Sequence, residues 1–264
     1  MKRLSILAAA AALAACNPGP AEAQTPYIQA PATYGLCDWS VIGPSALDLL
    51  YQQASIESLY QTCEPAVRQP FEANGITLTD DHYRAIFATV ASYSARPYGN
   101  LTGLDVADMY HSAVMDCDNY QFLAWHFYVS LGGTNETVMA SWINGRIGGT
   151  HGQNELRHPD WPNAPAFQHL MLDPNLGMVS VSSFEDAVFA NASDLIVDFS
   201  WRNDPQLDWL RAGVVQIFED GQPWPGFYSY ARAELAYLNS TVFWFCLFPT
   251  PGQTELTGCN PDWR

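Results

Sequence analysis

Lysine is almost missing from this chain: Lys2 is the only one in 264 residues. Basic residues number 11 against 27 acidic ones, a formal charge of −16. Proteins that bind nucleic acid or anionic lipid surfaces depend on clustered positive charge, so neither partner is expected here. No glycine-rich phosphate loop occurs, and no His or Cys pair has the spacing of zinc ligands. No cofactor and no metal is therefore expected. After the first 15 residues no apolar run approaches the roughly 20 residues that cross a bilayer. Internal repeats are lacking as well.

What the N-terminus does contain is a leader pattern. Met1-Lys2-Arg3 is a basic start, and Leu4 to Ala15 is a short apolar stretch of Leu and Ala. It runs straight into Leu13-Ala14-Ala15-Cys16, which resembles the bacterial lipobox. The resemblance implies diacylation of Cys16, which becomes the new N-terminus and ties the protein to a membrane of the cell envelope by lipid. Ala21-Glu22-Ala23 offers an ordinary cleavage site before Gln24, which would instead give a periplasmic or secreted protein. The lipobox abuts the apolar stretch and the second site does not, so lipid is the expectation. Residues 16–35 are rich in Pro, Ala and Gly without periodicity and read as a flexible stalk. Residues 36–264 suit one domain with a sizeable core. Removal of residues 1–15 leaves nine arginines against 27 acidic residues, a formal charge of −18. The plain reading of that charge is a solvated acidic surface.

Six cysteines are present, and assigning Cys16 to lipid leaves five in an oxidising compartment. Local pairing predicts Cys37–Cys63 around the first helical stretch and Cys246–Cys259 around the last strand. Cys117 is then the odd thiol. Apolar spacing predicts helices over Ser45 to Tyr60 and Thr79 to Ser94, the second capped by Thr79 with acids in its first turn. A third helix over Met115 to Leu131 is apolar nearly all round, hence buried, and Gly132-Gly133 stops it. Cys117 opens that helix, where unpaired N–H groups and the helix dipole favour the nucleophilic thiolate. Asp116 and Asp118 oppose this, so a charged imidazole beside the sulfur is required.

Strands are expected over Thr137 to Ile147, after the turn Gly148 to Gly152, and over Phe167 to Leu172, the last ended by Asp173-Pro174. A buried helix bearing Cys, followed by antiparallel strands presenting His and Asp, is an α+β layout of papain-like type. The ordered trio resembles the transglutaminase-like superfamily. Asp116-Cys117-Asp118-Asn119-Tyr120 with Ala124 matches its Cys motif, His151 with Asn154 and Glu155 its His motif, and Met171-Leu172-Asp173-Pro174 its Asp motif. The region covered, about residues 80–180, is roughly a third of the chain. Gly152 after His151 departs from the pattern.

The resemblance implies that Cys117 attacks a peptide or carboxamide carbonyl, His151 moves the proton and Asp173 orients the imidazole. The product would be a thioester intermediate on an envelope cysteine hydrolase or acyltransferase, with a peptide or protein as substrate. Analogy with papain-like enzymes places a further oxyanion donor at His111, beside the Cys117 backbone N–H. His158 and His169 compete with His151 as the base. Two other readings stay open, a papain-like cell-wall endopeptidase and an inactive lipoprotein that binds through the same fold. His126 lies too far along the helix from Cys117 to act with it, and His82 reads as a partly exposed helix residue. Residues 182–264 are read as a short helix over Ser183 to Ala190, strands over Leu195 to Phe199 and Val214 to Phe218, a helix over Tyr228 to Leu238, and an apolar strand over Val242 to Phe248. They complete the sheet or form a lid; the sequence does not choose between these.

Overall fold

A computed structural model describes residues 25–101, 103, 105–133, 137–144, 149–156, 168–183, 194–220, 227–231, 244–247 and 257–260. The chain enters as three short strands, β1 (Tyr27–Gln29), β2 (Thr33–Tyr34) and β3 (Cys37–Asp38). Five helices follow: α1 (Trp39–Tyr51), α2 (Glu57–Glu72), α3 (Asp80–Ala95), α4 (Val106–His111) and α5 (Cys117–Ser130). Then come β4 (Thr137–Asn144), β5 (Gly149–Leu156), β6 (Gln168–Asp173), β7 (Met178–Ser183) and β8 (Leu195–Asp198). Helix α6 (Asp208–Asp220) precedes β9 (Phe227–Ala231), β10 (Trp244–Leu247) and β11 (Thr257–Asn260). The fold is α+β. One nine-stranded sheet has the order β1-β8-β7-β6-β5-β4-β9-β10-β11. Its neighbours are antiparallel except β1, which runs parallel to β8 with Tyr27 opposite Ile196.

Strand periodicity sorts the side chains of β6, β7 and β8 onto two faces. Leu170, Leu172, Val179, Val181, Leu195 and Val197 join the large core, which also holds Trp39, Phe87, Tyr120 and Phe127 from the helices. Met171, Met178 and Ile196, one position out of phase, join a smaller core with Leu207, Leu210 and Val214 around α6. Helices α3 and α5 thus cover one face, and α6 the other.

Helix boundaries follow from local chemistry. Asp38 caps α1 by accepting from Ser40 N, and Thr79 caps α3 by accepting from His82 N. Helix α3 is buried along nearly its whole length. Helix α5 buries Tyr120, Leu123, Ala124, Trp125, Phe127 and Tyr128, and Gly132 beyond it takes φ 77°, a left-handed stop suited to glycine. The Cys37–Cys63 disulfide ties β3 to α2, with Cα atoms 4.8 Å apart.

Several expectations change. The single helix over Ser45 to Tyr60 is two, because the chain turns at Gln53 (φ 57°) and closes there with bonds from Gln53 N to Leu50 O and Ala54 N to Leu49 O. Tyr27–Gln29, expected within the flexible stalk of residues 16–35, is strand β1: it pairs with β8, and Ala30 N donates to Asp198 O at 2.7 Å. Val214 to Phe218 lies within helix α6 rather than a strand. The helix expected over Tyr228 to Leu238 begins as strand β9. His82 is buried, not partly exposed, since its Nδ1 accepts from Thr79 N and completes a capping box. The helix over Ser183 to Ala190 lies outside the described residues apart from Ser183, which ends β7. The chain after residue 194 supplies strands to the sheet, which answers the question of completion. Among the described residues no helix is long and apolar enough to cross a membrane. Cys16 and the leader lie outside the described residues.

Candidate active site at the start of helix α5

Asp116 is the N-cap of α5. Its carboxylate accepts from Asn119 N at 3.2 Å, and Asn119 Oδ1 accepts from Asp116 N at 2.9 Å. Asn119 Nδ2 also donates to Gly103 O. The cap holds the Asp116 carboxylate on the backbone of the first turn, and its charge still acts at the site, since it raises the Tyr98 phenol. Cys117 is the first helical residue, half-buried and outside any disulfide. Its Sγ donates to Asp118 Oδ1 at 3.8 Å. Just before it, Met115 bridges to Tyr98 through Met115 N to Pro97 O (3.0 Å) and Gly99 N to Met115 O (2.8 Å).

Tyr98 was not legible as a site residue. Its phenol is pushed above the ordinary value by burial first, then by the negative charges of Cys117, Asp116 and Asp204. Its ring packs against both cores, so it joins the start of α5 to the cluster that holds Leu176 and Met178.

Strand β5 packs on α5. Asn154, buried on β5, donates through Nδ2 to Gln121 O at 3.2 Å, one helical turn past Cys117. It sits opposite Leu172, the residue before Asp173. Asp173 ends β6, fully buried, and its Oδ1 accepts from Asn175 N (3.1 Å) and Leu176 N (3.0 Å) in the turn to β7. Because β5 and β6 are antiparallel, the first residues of β5 and the last of β6 lie at the same end of the sheet. His151 is in that stretch of β5, opposite Trp142 of β4. Its side chain lies outside the described ones, as do those of His169, Cys246 and Cys259; His158 lies outside altogether. Cys246 and Cys259 stand on the neighbouring strands β10 and β11, where the register is irregular.

His111 ends α4. Its Nε2 meets the Tyr51 hydroxyl at 3.3 Å, and its ring stands edge-on to Tyr51 and Tyr110. These contacts join α4 to α1, and none gives His111 the oxyanion role. The turn after β6 carries Asn175, buried with neither amide atom hydrogen-bonded among the described residues. Among those residues no three His, Cys, Asp or Glu side chains gather as a metal site. No family model matches the chain, and no curated protein does.

Proposed function

We propose that the protein is an exported cysteine hydrolase or acyltransferase of papain-like, transglutaminase-like type. The observation that carries this is Cys117, a half-buried thiol at the first position of buried helix α5. One turn later that helix is bonded to β5, the strand of His151, and β5 is paired to β6, which ends in Asp173.

In this reading Cys117 Sγ attacks the carbonyl carbon of a peptide or carboxamide. His151 passes the thiol proton to the leaving amine, and a thioester remains. Water, or an amine acceptor, then attacks with His151 as base, and Asp173 holds the imidazole. The Cys117 backbone N–H, at a helix start where N–H groups have no acceptor within the helix, is one donor for the oxyanion in this reading. Tyr98, which keeps its proton, is a better side-chain donor than His111. The lipobox at Cys16 supports attachment to the envelope by lipid, which acyl labelling of wild type against Cys16→Ser tests directly.

Alkylation of Cys117 by iodoacetamide tests the chemistry without a known substrate. The rate should stay high below pH 7 and fall sharply in His151→Ala, as the thiolate loses its cation beside Asp118. Cys117→Ala should abolish any turnover, and Asp173→Asn should leave a weak residue of it. An ordinary thiol profile, with midpoint near pH 8.5, in both wild type and His151→Ala would defeat the reading.

A further inference from the structure

Arginine is scarce here, and most described guanidinium groups are occupied. Arg68 pairs with Glu64, Glu72 and Asp80, Arg84 with Glu57, and Arg211 with Asp198. Arg96 spends its donors on the carbonyls of Ala95, Tyr110 and Ser112. Arg202 differs. Only its Nη1 is used, on Arg96 O, and among the described residues no carboxylate pairs with it.

Its place is fixed from three sides. The guanidinium lies 4.3 Å over the Tyr93 ring, whose hydroxyl accepts from Arg202 N at 3.1 Å. Arg96 O, the acceptor of Nη1, also accepts from Tyr120 Oη at 2.7 Å. Tyr120 is three residues after Cys117, on the same side of α5. Phe199 N donates to Gly177 O at 2.8 Å, so the loop carrying Arg202 is tied to the turn that follows Asp173. Arg202 therefore stands between the helix of Cys117 and the Asp173 turn. Cys117 and Asp204, two residues after Arg202, both raise the Tyr98 phenol, so the loop and the start of α5 act on one side chain. The buried amide of Asn175 lies in that turn and is a second polar group without a hydrogen-bond partner among the described residues.

We propose that Arg202 is a carboxylate-binding residue of the Cys117 site, so that the acyl substrate carries a carboxylate close to the attacked carbonyl. This rests on the cysteine-enzyme reading and names its substrate class. A planar fork with Nε and Nη2 unspent suits a carboxylate, and the Tyr93 stack holds it without using those donors. In a chain this acidic, a cation with no carboxylate partner among the described residues is the means of overcoming general repulsion of anions.

Two reagents of the same chemistry test it on the full chain. Iodoacetate and iodoacetamide both lose iodide to the Cys117 thiolate as a carbon–sulfur bond forms, and only the first carries a carboxylate. The ratio of their rates at Cys117 should exceed that for glutathione and fall about tenfold in Arg202→Gln, as expected for loss of a charged hydrogen bond; a change in thiolate content acts on both reagents alike and cancels in the ratio. Arg202→Lys should lie between. A wild-type ratio equal to that of glutathione, or one that Arg202→Gln leaves unchanged, overturns the proposal.

If Arg202→Gln fails to fold, protection of the wild type decides. N-acetylglycylglycine or N-acetylglutamylglycinamide should slow iodoacetamide, and uncharged N-acetylglycylglycinamide should not. The acid that protects shows whether a terminal or a side-chain carboxylate is read; equal protection by all three overturns the proposal. An ordinary pH profile for iodoacetamide would sink the nucleophile reading instead, while the rate ratio still reports on Arg202.

Discussion

The two cores differ in how they are built. The large one joins five helices to one face of the sheet, and three of them, α1, α3 and α5, are long and capped by Asp38, Thr79 and Asp116. The small one, on the opposite face, is assembled from single residues of β6, β7 and β8 and one turn after another of the η1–α6 segment, where η1 is Pro205–Leu207. Only the first has a disulfide among the described residues. Tyr98 touches both, and Cys117 lies beside Tyr98. The candidate site is thus at the seam: Cys117 and the partners of Arg202 belong to the helical side, and the turn after Asp173, with Leu176, to the small core.

That contrast predicts a graded series. Phe87→Ala should cost the most, about 3–5 kcal/mol, because its fully buried ring meets Trp39 at 5.9 Å and Tyr60 at 5.5 Å. Urea denaturation measures it, and a cost typical of a surface residue would mean that the helical core is not the main source of stability. Removing the disulfide by Cys37→Ala with Cys63→Ala should come next. Its 26-residue separation constrains the unfolded chain by about 3 kcal/mol. Leu210→Ala should cost about 2–3 kcal/mol, since the small core around it leaves room to collapse. It should nonetheless alter the iodoacetamide rate at Cys117 several-fold through Tyr98, whereas Phe87→Ala should leave that rate alone in conditions where it is folded. The reverse pattern would place the site within the large core, away from the seam.

The same division runs through what could be read from the sequence. Helices α3 and α5 were legible because Thr79 caps the first and Gly132 ends the second, but the Asp116 cap went unread and α5 starts at Cys117 rather than Met115. The Cys37–Cys63 pairing followed from proximity along the chain. What was missed depended on distant contacts. Tyr27–Gln29 looks like stalk, because its partner strand is 169 residues away. Gln53 breaks a helix in a left-handed conformation that usually announces itself as Gly or Asn. His82 fills a capping-box position where Glu or Gln is the signal. Val214-Val215 reads as strand by β-branching, and only burial of Leu207, Leu210 and Val214 on one side makes the segment a helix. At the site, Cys117 had a helix-start signature. Arg202 had none, since its meaning comes from a shared acceptor, Arg96 O, and from the absence of a carboxylate.

The smallest effect concerns the edge where the chain enters. Tyr27 Oη donates to Asp198 Oδ2, the oxygen that Arg211 Nη1 also reaches at 2.6 Å, and Ser200 N donates to Oδ1 at 2.8 Å. Asp198 is buried, so this cluster fastens β1 to β8 by more than its three paired residues. Burial first, then the bond and charge of Asp198, push the Tyr27 phenol above its ordinary value. A raised pKa means that the folded state holds the proton more tightly than the unfolded state. The contribution is therefore complete below the ordinary tyrosine value near 10 and is lost as pH rises beyond it. Tyr27→Phe should lower stability by about 1 kcal/mol at neutral pH, and the difference from wild type should shrink between about pH 9 and about pH 11. Comparison with the variant matters, because the Tyr60 phenol is also pushed up, to about 12, and adds its own loss in both proteins. A difference that stays constant or grows over that range would show that the Tyr27 proton does not fasten β1. The sheet would then begin in effect at β8, with β1 held there by its backbone pairing alone.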